Sequence, residues 1–191
     1  MILPIVAYGD PVLKKEGKKL QENQEGIKEL IDNMFETMYD AHGVGLAAQQ
    51  VGRSLKLFIV DASPFAEDDD RLTDFKKVFI NPVILNEEGE EWTFNEGCLS
   101  FPELRIDVDR KDKIIIRYQN EKFETFEEEF DGLAARVLQH EYDHVYGILF
   151  TDRISALRRR MLKGRLNSIS KGNVNAEYKM RIFSPNNYVI Q

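Results

Sequence analysis

The segment that most constrains the fold is 131–147, "DGLAARVLQHEYDHVYG". Leu133, Val137, His140 and His144 recur at i, i+4, i+7 and i+11, the spacing of one helix face, so an apolar stripe runs on into two histidines. Asp131 is a good N-cap and Gly147 a good stop, which predicts a helix ending at Val145. Its histidines then point where the core points, and burial there favours the neutral imidazoles that a metal ion requires. At i and i+4 both rings can reach one ion. Glu141 lies about 100° around the helix from His140, close enough to touch a ligand of that ion without binding it. That is the position of a general base. The alternative is a chance match on an ordinary helix, which the helical context and the inward facing of the pair disfavour.

The rest of the chain supplies partners for such a helix. Residues 26–42 place Ile27, Leu30, Ile31, Met34, Phe35 and Met38 on one face of a long amphipathic helix, with Gly43 as its stop. "LKLFIVD" at 55–61, "KVFINPVIL" at 77–85 and "DKIIIRYQ" at 112–119 read as strands, and "QNEK" at 119–122 as a hairpin turn into "FETFEEEF". The acidic stretch 63–75 reads as a solvated surface loop. A third helix over 154–166 carries a basic cluster. No repeat, linker or composition shift divides the chain, so the expectation is one catalytic domain, 1–191, of α+β class. Antiparallel or mixed strands would pack around the central HExxH helix, with an N-terminal amphipathic helix and a C-terminal helix beside them.

Composition excludes several functions. A chain of 191 residues can bury roughly 70% of its unfolded surface, and no apolar run approaches the roughly 20 residues of a membrane helix. The N-terminus lacks the basic region and cleavage site of a signal peptide, so mature sequence is expected. A single cysteine, Cys98, cannot form an internal disulfide and favours a reducing compartment, hence a cytoplasmic protein. The net charge of −7 argues against coating DNA or an anionic membrane. Yet Arg153, Arg158, Arg159, Arg160, Lys163, Arg165 and Lys171 cluster in 153–171, a local basic surface on an acidic chain.

A catalytic zinc-type site needs a third protein ligand. Downstream of the histidines stand only Asp152 and Glu177; upstream, Cys98 in "NEGCLSFPELR" is the better candidate. Cysteine with two histidines suits zinc, and the same set can hold iron, cobalt or nickel.

Together, "GVGLAAQQ" at 43–50, "EGCLS" at 96–100 and "QHEYDH" at 139–144, in that order, resemble the three signature motifs of bacterial peptide deformylases. The resemblance implies a divalent metal held by Cys98, His140 and His144 with water as fourth ligand, ferrous iron in the cell and zinc, nickel or cobalt as replacements. It implies Glu141 as catalytic acid and base, and the Gln50 side-chain amide and Leu99 N–H as donors to the developing oxyanion. The implied substrate is the N-formyl group on the initiator methionine of nascent peptides. Gly45 and Gly97 would meet the peptide backbone, while Val44, Leu133 and Val137 would line the methionine pocket.

Several residues keep two readings. Gln50 could instead satisfy a backbone group, and Leu133 and Val137 fit core as well as pocket. Arg136 departs from the apolar residue members often carry there; its stem could cover the pocket rim. Asp143 could orient a histidine, pair with Arg110, or lie exposed. His42 favours the dipole of the helix it ends. The basic segment could dock a nascent-chain enzyme on the ribosome, or be a solvated helix face. A zinc peptidase is disfavoured by the missing downstream ligand, and a non-catalytic ribosome-binding protein by the intact Glu141 and Gln50.

Overall fold

The computed structural model describes residues 1–22, 24–184 and 187–190. In chain order they form β1 (Ile5–Val6), α1 (Ile27–Asp40), β2 (Gly45–Ala47), β3 (Leu57–Asp61), β4 (Lys76–Gly97), β5 (Arg105–Gln119), β6 (Thr125–Asp131), α2 (Gly132–Val145), α3 (Ala156–Met161), α4 (Lys163–Ser170), β7 (Met180–Ser184) and β8 (Asn187–Ile190). Strands β2 to β6 make one antiparallel sheet in sequence order; β1, β7 and β8 make a second, with β1 parallel to β7. The class is α+β with mixed sheets, as the patterning predicts. Among the described residues no helix is long and apolar enough to cross a membrane.

The sequence of β3 explains the layering. "LFIV" has no polar alternation because both its faces are covered. Phe58 and Val60 pack with Phe79, Ile114 and Ile116 against Ala134, Ala135 and Leu138 of α2. Leu57 and Ile59 face the other way, with Leu46 and Ile80, onto Ile31, Met34 and Met38 of α1. The sheet thus lies between two helices, and the HExxH helix is held in place by its buried strands.

Three local expectations change. Helix α1 ends in a left-handed residue, but that residue is His42 (φ 54°), not Gly43. Its N–H bonds back to Tyr39 O and that of Gly43 to Met38 O, the paired bonds of a Schellman ending. Gly43 is small for another reason: a Cβ there would sit 2.8 Å from Leu99 Cδ1. Asp131 precedes α2 but its side chain caps nothing; it pairs with Arg71 at 2.7 Å. The helix expected at 154–166 breaks at Leu162, whose N–H is shared between the carbonyls of Arg158 and Arg159, and α4 runs on to Ser170. The break lets Leu166 and Ile169 reach a cluster with Phe101 and Phe150.

The strands at 77–85 and 112–119 are halves of a much longer ribbon. Residues 86–97 pair with 105–115 across charged contacts such as Glu88 opposite Lys113 and Glu91 opposite Lys111. Its 86–91 end is largely exposed and has no hydrophobic alternation, whereas nearer the site Ile106, Val108 and Arg110 are buried between exposed Arg105, Asp107 and Asp109. The acidic segment 63–75 is mostly surface, as expected, though Leu72 and Phe75 anchor it in the core. The strands β7 and β8 carry no expectation from sequence.

Candidate metal centre and active site

Two elements converge on one point. Helix α2 presents His140 and His144 with ring centroids 5.1 Å apart, and the turn that follows β4 presents Cys98. One ligand atom from each of the three lies within 4.8 Å of the others. Cys98 Sγ is 3.3 Å from His144 Nε2. A thiolate with two imidazoles is a donor set that suits a divalent transition metal, and the orientation of His140 fits it further. Its Nδ1 is held by Glu96 at 2.9 Å, which leaves Nε2 for the ion.

Glu96 is the centre of a buried charge network. Its carboxylate accepts from Arg110 Nε at 2.7 Å and a second Arg110 nitrogen at 3.0 Å, from Arg136 at 3.0 Å, and faces His140. Arg110 also donates to Asp143 at 2.7 Å, the pairing expected of that aspartate, and Arg153 closes the far side of Asp143. Arg136 is 2% exposed, donates to the carbonyls of Val108 and Trp92, and stacks on the Trp92 ring. It is therefore an interior ion-pair partner that also meets the cleft, not a rim cover alone.

The electrostatics follow. Burial opposes charge on Glu96, but hydrogen bonds with His140 and Arg110 outweigh it and hold the carboxyl far below its ordinary range. Burial likewise opposes charge on His140; Cys98 and Glu96 outweigh it and raise its pKa. His144 goes the other way, pushed down by burial and then by the positive charge of His140 and Arg110.

Glu141 points into the same cleft. It is buried, its Oε2 has no partner among the described residues, and desolvation pushes its carboxyl up to about 7. Gly45 of β2 lies so close that a methyl in its place would sit 2.6 Å from Glu141 Oε1. Gln50 does satisfy a backbone group: Oε1 accepts the Ala47 N–H at 2.8 Å, and this turns Nε2 toward Ser100 Oγ at 3.4 Å and Cys98 Sγ at 3.6 Å.

The cleft that joins these groups encloses about 550 Å³. Val44, Gly45, Gln50, Gly97, Cys98, Leu99, Val137, His140 and Glu141 all line it, with His42 and Arg136. Leu133 does not; it packs against the core, because one turn before Val137, at the start of α2, the helix face lies outside the cleft. Sequence reasoning gave no role to Glu96 or Tyr178. The one signal for Glu96 was its place in the "EGCLS" motif, two residues before Cys98 at the end of β4. Tyr178 had none.

A cysteine from the turn after β4, beside two histidines and a buried glutamate on a helix that lines an apolar cleft, defines a metal-dependent hydrolase. The polypeptide deformylase family profile matches residues 2–160. The peptide deformylase of Christiangramia forsetii is 55% identical over 188 residues, covering 95% of this chain and 96% of that one. That of Flavobacterium johnsoniae is 52% identical with the same coverage. The crystal structure of a Legionella pneumophila peptide deformylase, 38% identical, superposes with a TM-score of 0.78 over 91% of this chain and 98% of that one. The Thermotoga maritima enzyme, 43% identical, gives 0.73 over 81% and 99%. The chain belongs to the peptide deformylase family.

Proposed function

We propose that this chain removes the N-formyl group from the initiator methionine of newly synthesised polypeptides in the cytoplasm and releases formate. The observation that carries the reading is the free, buried carboxylate of Glu141 in one cleft with the Cys98, His140 and His144 triad and the oriented amide of Gln50. Cys98, His140 and His144 would hold a divalent ion, which when bound would supply Lewis-acid chemistry to water and to the formyl carbonyl. Glu141, with a carboxyl raised to about 7, is matched to accept a proton at neutral pH and return it to the leaving amine. Gln50 Nε2 and the Leu99 N–H are the donors for the oxygen that gains charge.

Substrate placement follows from β2. It is the edge strand of the five-stranded sheet, with β3 as its sheet neighbour, so its other edge is available to an extended peptide. Gly45 and Gly97 leave room for that backbone. Val44 and Val137 supply apolar wall for the methionine side chain, and Leu133 supports the wall through core packing. The decisive assay is formate release from a formyl-Met peptide with metal content measured on the same sample. Glu141→Ala should keep the metal and lose formate release; equal release by wild type and variant would overturn the role of Glu141.

Ferrous iron is the proposed resident ion, replaceable by zinc, nickel or cobalt. Metal analysis after anaerobic purification tests this; zinc alone with full activity would refute it. The proposed partner is the ribosome, met through 153–171. Arg153, Arg159 and Arg165 are tied to Asp143, Asp152 and Glu103, which leaves Arg158, Arg160, Lys163 and Lys171 without an ion pair among the described residues. Reversing Arg158 and Arg160 to glutamate should weaken salt-dependent ribosome cosedimentation; unchanged cosedimentation would remove the idea.

A further inference from the structure

The acidic segment 63–75 reaches the cleft through one apolar residue, Phe65. The ends of the segment are tied together: the Ala62 N–H donates to Phe75 O at 2.8 Å, and Leu72 and Phe75 are buried. At its start Asp61 Oδ1 accepts from the Ser63 N–H at 3.1 Å and from the Ser63 hydroxyl at 2.6 Å. A single turn, Ser63–Phe65, follows. The Phe65 N–H donates to Ala62 O at 2.9 Å, and Phe65 O accepts from the N–H groups of Asp68 and Asp69 at 3.0 Å each. Both polar groups of the Phe65 backbone are therefore fixed, and its ring is delivered from a braced loop.

Phe65 is half-buried and lines the cleft. Three other phenylalanine or tyrosine side chains line it too, those of Phe94, Phe101 and Tyr178. Only Phe65 packs on the apolar cluster that contains Val137, and Val44 packs on that same cluster. Phe101 and Cys98 belong to a second cluster, and Tyr178 to a third. The cleft thus runs between a wall that carries Cys98 and a wall that carries Phe65, Val44 and Val137.

We propose that Phe65 is a specificity-determining residue for deformylation: its ring closes the methionine pocket on the side away from Cys98, where it meets the sulfur and terminal methyl of the substrate side chain. A thioether makes favourable contact with an aromatic ring, and the ring keeps water from the end of the pocket. A shorter side chain stops before the ring and gains nothing from it. This inference rests on the deformylase reading above.

The test compares kcat/KM on a formyl-Met peptide with that on the same peptide carrying formyl-α-aminobutyrate, whose side chain ends before the sulfur position. The ratio of the two values does not depend on how much of the enzyme is metal-loaded or folded. In Phe65→Ala the ratio should fall by about 10-fold, the scale of one or two apolar groups losing their contact. Phe65→Leu, a milder change to the packing, should lower it by about threefold. An unchanged ratio in Phe65→Ala, even with both substrates slowed together, would show a ring that serves packing and overturn the proposal. If Phe65→Ala does not fold, an unchanged ratio in Phe65→Leu overturns it on the same ground. Wild type that released no formate would refute the deformylase reading itself, which separates the two failures.

Discussion

Replacing Gly45 with alanine should damage catalysis through Glu141 while leaving the fold intact. The backbone at Gly45 has no positive φ, so alanine is conformationally allowed. Its new methyl, however, would lie 2.6 Å from Oε1 and 2.8 Å from Cδ and Cγ of Glu141. Ordinary contact needs about 3.4 Å, so the carboxylate must retreat by about 0.8 Å. A displacement near 1 Å in a positioned catalytic group costs on the order of 100-fold in rate, about 2.7 kcal/mol of barrier. The folding cost is smaller: an off-rotamer Glu141 costs about 0.5–1.5 kcal/mol, which in a chain of this length lowers Tm by about 1–6 °C. Formate release, metal content and thermal unfolding should be measured together, with metal retained because Glu141 is not a ligand. The stability cost should also vanish when Gly45→Ala is introduced into Glu141→Ala, since the clashing atoms are gone. Activity within about twofold of wild type, or an undiminished stability cost in the double variant, would refute the reasoning.

Glu96→Ala should be more harmful to stability than any surface change, by about 3–5 kcal/mol in urea unfolding, because it leaves buried arginine charge without its carboxylate; a loss under about 1 kcal/mol would refute this. Cys98→Ala should lose the metal, and stoichiometric retention would place the third ligand elsewhere. Tyr39 should ionise at about 12, raised by burial and then by its hydrogen bond to Asp61. Because the folded pKa lies above the unfolded value of 10, its contribution to stability is complete below pH 10 and is lost as pH rises through about 12. The ultraviolet titration of wild type minus Tyr39→Phe should show this step, and Asp61→Asn should move it down; a step at 10 in wild type would contradict the assignment.

The site was more legible in the sequence than the fold was. His140, His144 and Glu141 declare themselves through helix periodicity, since one turn of α2 fixes their relative geometry whatever surrounds it. Cys98 and Gln50 could be tied to them through the motifs they stand in. The ribbon at 86–97 and 105–111 is hard to read because its 86–91 end is a largely exposed polar run, and on its buried face the charged Glu96 and Arg110 stand among the apolar residues. The left-handed end of α1 fell to His42, against the preference for glycine, because Gly43 is needed where Leu99 presses on the chain.

What the sequence by itself determined is what local geometry determines: the amphipathic helices, the central strands, and a helix face able to bind a metal. Only the tertiary structure decided which distant groups complete that face. Glu96 orients His140 and meets Arg110 and Arg136 because β4, β5 and α2 pack together. Tyr178 reaches Leu99 across 79 residues because β7 pairs with β1. These contacts join residues far apart in the chain, and their partners are fixed by packing rather than by any spacing along the sequence.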